Sequence, residues 1–183
     1  MSGFAADWLA LREPVDHASR NPTLSARVRA HFAGRDALTI VDLGCGTGSN
    51  LRGLAAALPP RQHWHLIDGD AALLRRARES LAGWAEVSHE DGERLRLRRD
   101  GREIVVSFER ADLTRRDLDF TALGAELVTA AALLDLVSES WLERLVAALA
   151  ASRLPLYAVL TYDGEAEWQP ADPLDGRGIA AFN

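Results

Sequence analysis

The sequence predicts an α/β fold: a doubly wound, mainly parallel sheet flanked by helices. Three observations carry that prediction. Short apolar runs of strand length alternate with longer segments whose apolar residues recur at helical spacing. The first strand-like run, Leu38 to Leu43, ends in glycines at alternate positions, Gly44, Gly46 and Gly48, and then turns into Leu51, Leu54 and Ala55 at helical spacing. A chain of 183 residues, 48% hydrophobic and 26% charged, suits one domain with a sizeable core.

Composition excludes several classes of function. A net charge of -6 opposes a general binder of nucleic acid or of acidic membrane. All 21 basic residues other than histidine are arginine, which removes lysine Schiff-base chemistry. The one cysteine, Cys45, has no internal disulfide partner, consistent with a reducing compartment, and between two glycines it reads as a small packing residue. The apolar stretches fall short of the ~20 residues that cross a bilayer, and the first residues lack the basic start and apolar run of a signal peptide. The chain therefore reads as soluble and cytoplasmic.

Taken in order, residues 4–13 form a short amphipathic helix expected to end before Pro14. A second helix opens at Asn21-Pro22, with asparagine as cap, and stops at Gly34. The connection between them, Leu11 to Arg20, is a candidate lid. After the first strand a helix runs from Ser49 to Leu58, and a second strand from His63 to Ile67 ends in Asp68. Asp70 is placed to cap a helix expected from Ala71 to Val87. Arg94 to Arg98 alternates Arg and Leu, Asp100-Gly101 supplies a turn, and Glu103 to Arg110 returns as the third parallel strand. The first arm is then an added antiparallel edge, with Arg94, Arg96 and Arg98 as solvated charge on one face. Glu126 to Ala131 is the fourth strand. Ser140 and Glu143 form a capping box for the next helix, and Leu156 to Leu160 is the fifth strand.

The glycine segment, Val41 to Gly48 (VDLGCGTG), resembles the first motif of class I S-adenosylmethionine-dependent methyltransferases. A dinucleotide fingerprint fails, because Ser49 occupies its third glycine position. Asp42 before the glycines and Asp68, about 20 residues past Gly48, add to the likeness, and that spacing lets an acid meet ribose hydroxyls. The resemblance runs from Trp8 to Tyr162. It implies a Rossmann-like sheet ordered 3-2-1-4-5, with the hairpin arm added at the strand-three edge, and S-adenosylmethionine as cofactor. The backbone from Gly44 through Cys45 and Gly46 to Gly48 would approach the methionine portion, with Asp42 supporting the loop or the amino group. Asp68 would hold the ribose and Asp112 the adenine, while a carbonyl near Thr129 or Ala130 would accept from the ammonium group.

Asn-Pro-Pro-Tyr, associated with many amino-directed nucleic-acid methyltransferases, is absent after the fourth strand, where TAAALLDLVS stands instead. With the acidic charge, this favours a small-molecule acceptor. Candidate bases are His17, Asp135 and Tyr162, each with a structural role as the alternative. A non-catalytic domain acting through a partner is the rival from another class, and a nicotinamide-dependent oxidoreductase is disfavoured by Ser49.

The expected organisation is a helical segment over 1–36, a cofactor-binding core over 37–163, and an irregular tail over 164–183. The family normally adds two further strands after the fifth, and the tail holds no credible pair. Truncation is the first explanation for that departure. Pairing of the strand-five edge with a second copy is the other.

Overall fold

Two faces of one sheet divide the apolar residues of this chain. The computed structural model describes residues 5–161, 167 and 169–182. Its central strands are β1 (Ala37–Leu43) and β2 (Arg61–Asp68), followed in sequence by β3 (Val87–Asp91), β4 (Arg94–Arg99), β5 (Arg102–Arg110), β6 (Leu127–Ala131) and β7 (Leu156–Val159). The spatial order is β3-β4-β5-β2-β1-β6-β7. From β5 to β7 the neighbours run parallel, and β3 and β4 extend the sheet antiparallel beyond β5.

The side chains alternate across the pleat, so β1, β2 and β6 each serve two cores. Ile40, Trp64, Leu66, Ile104 and Val106 face one of them, with Leu51, Leu54 and Leu81 from α3 (Ser49–Leu54) and α4 (Ala71–Trp84). Val41, Leu43, Ile67 and Val128 face the other, closed by Phe120 and by Trp141 and Leu145 of α5 (Glu139–Ser152). The Trp141 indole N–H donates to the Leu113 carbonyl at 2.6 Å, which ties α5 to the loop between β5 and β6.

Several elements depart from the sequence expectation, each for a local reason. Helix α1 (Ala6–Ala18) runs through Pro14 instead of ending before it. Residues around and beyond the proline are anchored elsewhere: Glu13 takes two hydrogen bonds from Arg52, at 2.7 and 2.5 Å, and the His17 ring meets Ser49 at 3.0 Å. Those contacts offset the missing backbone donor. Helix α3 ends at Leu54 and tightens into a 3₁₀ turn over Ala55–Ala57, where the buried Gln62 amide donates to the Ala55 and Pro59 carbonyls at 2.9 Å each. Helix α4 stops at Trp84, and the chain forms β3 rather than continuing helical to Val87. All five residues of β3 are exposed, so no apolar alternation marks it. Its place is set by pairing with β4 across the turn at Gly92.

The cap of α5 is Ser138, whose hydroxyl accepts from the Trp141 N–H at 3.3 Å, and not Ser140. Asp70 caps α4 through Ala72 N at 2.7 Å, and Asn21 caps α2 (Pro22–His31) through Thr23 and Leu24. Within the tail expected to be irregular, residues Asp175–Phe182 form a helix, α6. Among the described residues, no helix is long and apolar enough to cross a membrane.

Candidate functional site

The site is built where β1 hands over to α3. Gly44, Gly46 and Gly48 have φ of 63°, 53° and 77°, left-handed values that side chains with a Cβ adopt only at a cost. A Cβ on Gly44 would also stand 3.0 Å from Leu133 Cδ1, and one on Gly48 would stand 3.2 Å from Leu81 of α4. The loop is therefore pressed between β6's following turn and the helix layer, and only glycine fits both demands.

Asp68 holds this loop in place. One carboxylate oxygen accepts from Gly46 N at 2.9 Å and the other from Asp70 N at 2.8 Å. Each oxygen keeps lone-pair capacity for a further donor. Ala111 N donates to the Asp68 carbonyl, so the tips of β1, β2 and β5 are stitched together.

Behind the loop lies a buried polar chain. Asn50, the second residue of α3, donates from its amide to Asp42 Oδ1 at 2.8 Å and to Thr129 Oγ1 at 2.9 Å. The Thr129 hydroxyl has a single proton, and it goes to the Tyr157 carbonyl at 2.8 Å. Thr129 can then only accept from Asn50, which fixes the amide orientation and leaves Asn50 Oδ1 without a partner. Asp42 Oδ2 is likewise buried and unpartnered. Burial raises the Asp42 pKa from 3.8 to about 7, against the opposing pull of the Asn50 hydrogen bond and Arg20.

Helix α1 covers this constellation. Leu9 Cδ1 lies 3.5 Å from where a Gly46 Cβ would be, and Leu9, Arg12, Asp16 and Arg20 close one side of a cavity of about 70 Å³. The other walls are the glycine loop, Asn50, and Ala131, Ala132 and Leu160 at the ends of β6 and β7. Ala132 and Leu160 also carry positive φ, 50° and 57°, so the strand tips around the cavity hold strained backbone.

Residues 40–128 match the family model of a methyltransferase domain. Over those residues the chain is similar to methyltransferase domains. Among solved structures, the chain is similar to a candidate S-adenosyl-L-methionine-dependent methyltransferase of Methanococcus maripaludis, with a TM-score of 0.51 at 13% identity over 86% of this chain and 64% of that one. A SAM-dependent methyltransferase of Leishmania major gives 0.51 at 13% identity over 83% and 52%. One of Aquifex aeolicus gives 0.51 at 14% over 98% and 87%. At these identities the likeness shows the fold alone, and the chain spans less than two thirds of the first two structures' length. Comparison with curated protein sequences found no match.

The domain brings some of the sequence-predicted residues together and leaves others apart. Asp42, the glycines, Cys45, Asp68 and Thr129 gather around the loop. Cys45 is buried, and that burial, with Asp42 and Asp68 nearby, pushes its thiol well above the usual range, so it stays protonated and packs. Asp112 is exposed and turned into its own turn, accepting from Thr114 N at 2.9 Å and Thr114 Oγ1 at 2.6 Å, which lowers its pKa. It does not line the cavity. The His17 ring is occupied by Ser49, and Asp135 is exposed in a 3₁₀ turn (Leu134–Leu136). Tyr162 lies outside the described residues. Asn50, Leu9 and Arg20 escaped sequence reasoning as individuals. Arg20 ended the candidate lid, and Asn50 stood beside the glycine turn, where a polar residue on an otherwise inward helix face was the available signal.

Proposed function

We propose that the chain binds S-adenosylmethionine at the tips of β1 and β2 and directs its methyl group to a small-molecule acceptor. The observation that carries this reading is the left-handed glycine loop, which puts backbone rather than side chain against the cavity, beside buried polar atoms that lack partners. Those orphaned atoms suit a ligand with a charged amino-acid end. Volume fits only after α1 moves, because about 70 Å³ is well below the ~300 Å³ at which ligand pockets begin. Residues 1–36 thus act as a lid on a core spanning 37–163.

S-adenosylmethionine supplies an activated methyl on a sulfonium, so the protein's task is placement. In this reading the segment from Gly44 to Gly48, Cys45 included, lines the methionine portion, and Asp68 uses its remaining lone pairs for the ribose hydroxyls. Asp112 turns from its own loop to the adenine amine, and a Thr129 or Ala130 carbonyl accepts from the ammonium group. Holding acceptor and methyl in line, with water excluded by α1, contributes about 7 to 11 kcal/mol to lowering the barrier. His17 and Asp135 are engaged or exposed as described, which favours positioning over proton abstraction as the main contribution. The β7 edge is the surface through which a second copy would pair.

Titration calorimetry with S-adenosylhomocysteine tests the site. Asp68→Ala should weaken binding by about tenfold or more, since charged hydrogen bonds are lost, and unchanged affinity would remove Asp68 from the ribose. Methyl label from S-adenosylmethionine should enter the small-molecule fraction of a cell extract; label only in macromolecules would overturn the acceptor class. A second reading, a non-catalytic domain acting through a partner, draws on the Leu9 contact that keeps the cavity small. Ligand binding without label transfer to any fraction would favour it.

A further inference from the structure

A second cavity lies at the end of the sheet away from the glycine loop, where β5 begins. It measures about 190 Å³, against about 70 Å³ beneath the lid, and the two share no lining residue. Its walls hold three arginines, Arg52, Arg99 and Arg102, and one acid, Asp100, in a chain whose net charge is -6. Ala55 and Trp84 add apolar wall.

Two of the three guanidinium groups face a carboxylate. Arg52 is held by Glu13 through a pair of hydrogen bonds. Arg99 lies 4.7 Å over the Trp84 ring, donates to the Trp84 carbonyl, and has its Nε 3.3 Å from Asp100 Oδ2. Arg102 bonds to backbone instead: Nη1 donates to the Asp100 carbonyl at 3.1 Å and Nη2 to the Ala56 carbonyl at 2.7 Å. Those contacts fix the guanidinium between the β4–β5 turn and the 3₁₀ turn after α3. They leave its Nε buried without a hydrogen-bond partner. Glu86, a further acid at this turn, accepts from Asp100 N at 3.1 Å. One acid on the cavity wall cannot neutralise both Arg99 and Arg102, so the lining carries an excess of positive charge.

A buried donor on a charged group is costly to leave unmet, and an anion entering the cavity would meet it. The volume is below the ~300 Å³ at which drug-sized pockets begin, so the ligand is small. Guanidinium groups on the two sides of one turn suit an oxyanion that offers acceptor oxygens in several directions. We propose that this cavity is an anion site for a phosphate group, carried either by inorganic phosphate or by the monoester of a small molecule, with Arg102 as principal donor and Arg99 as the second. Its ligand ties the β4–β5 turn to Trp84 at the end of α4. The site is independent of the proposed cofactor reading, and either can fail without the other.

Calorimetry on the full chain with inorganic phosphate, at ionic strength held constant with chloride, tests the proposal. Wild type should show saturable binding. Arg102→Gln should weaken it about tenfold or more, the scale of a lost charge-assisted bond. Asp100→Asn should tighten it severalfold, because it removes the competing anion while asparagine tolerates the turn's φ of 48°. That gain distinguishes an anion site from a merely structural Arg102. Glycerol phosphate run in parallel separates the sources: tighter binding than inorganic phosphate identifies a monoester ligand, and equal or weaker binding the free ion. Absence of saturable binding of both compounds to wild type would overturn the proposal. So would undiminished affinity in Arg102→Gln, or affinity that fails to rise in Asp100→Asn. Should Arg102→Gln not fold, Arg99→Gln takes its place with a severalfold loss expected, and unchanged affinity there would overturn the proposal equally.

Discussion

Asp42→Asn should change how stability depends on pH, and the size follows from the site. The Asp42 carboxyl is fully buried, its Oδ2 has no partner, and its pKa is raised from 3.8 to about 7 mainly by burial. Between those two values the folded state keeps a proton that the unfolded state has released. Stability therefore falls as pH rises across this window and levels off above about 7. At about 1.4 kcal/mol per pH unit, the full shift corresponds to about 4 kcal/mol, and local relaxation around the carboxylate would reduce that to about 2. The amide of Asp42→Asn cannot ionise, and it keeps an oxygen to accept from Asn50. Urea unfolding of both proteins from pH 4 to pH 8.5 should show the variant gaining about 2 to 4 kcal/mol relative to wild type as pH rises. Other titrating groups cancel in the difference, including His65, whose pKa burial lowers to about 4. A difference that stays flat within about 0.5 kcal/mol would refute the account of a strained, uncompensated carboxyl.

Two further outcomes concern the loop and the lid. Gly44→Ala combines a left-handed φ of 63° with a Cβ 3.0 Å from Leu133, so it should cost about 1 to 3 kcal/mol in thermal or chemical unfolding and weaken S-adenosylhomocysteine binding. Gly34→Ala, with φ of 79° and nothing within 4 Å, supplies the strain alone, so equal losses in both variants would dismiss the Leu133 contact. Glu13→Gln removes the charge that clasps Arg52 across the α1–α3 boundary, where the two side chains are 18% and 9% exposed. Association of S-adenosylhomocysteine, followed by stopped flow, should then be severalfold faster, and an unchanged association rate would mean that α1 does not gate entry.

The features legible in the sequence are those set by neighbours along the chain. Helix caps at Asn21 and Asp70 act over two or three residues, and the α/β alternation follows from local periodicity. So does the glycine turn, because left-handed backbone selects its own residue type. The element that escaped, β3, has five exposed residues and no apolar face, and its position is decided by pairing with β4, although Asp91-Gly92 carried a readable turn signal. Helix α1 escaped differently: Pro14 predicts a break, and the distant Arg52 and Ser49 override it.

The candidate site divides the same way. Its scaffold of glycines and acids is local, but its polar chemistry joins Asp42 and Asn50 to Thr129 and Tyr157, which lie on strands far along the sequence. Whether Asn50 Oδ1 is free depends on where the Thr129 hydroxyl sends its proton, and that depends on Tyr157 lying across β6. No pattern along the chain encodes that choice, because it exists only once β7 has paired with β6. The buried Arg20 Nε and Nη1, which no acceptor reaches, are the same kind of fact, since a donor is unsatisfied only relative to the groups that folding brings near it. The residues that decide what such a domain recognises are thus the ones whose partners folding withholds, and these become visible only after every other polar group has been accounted for.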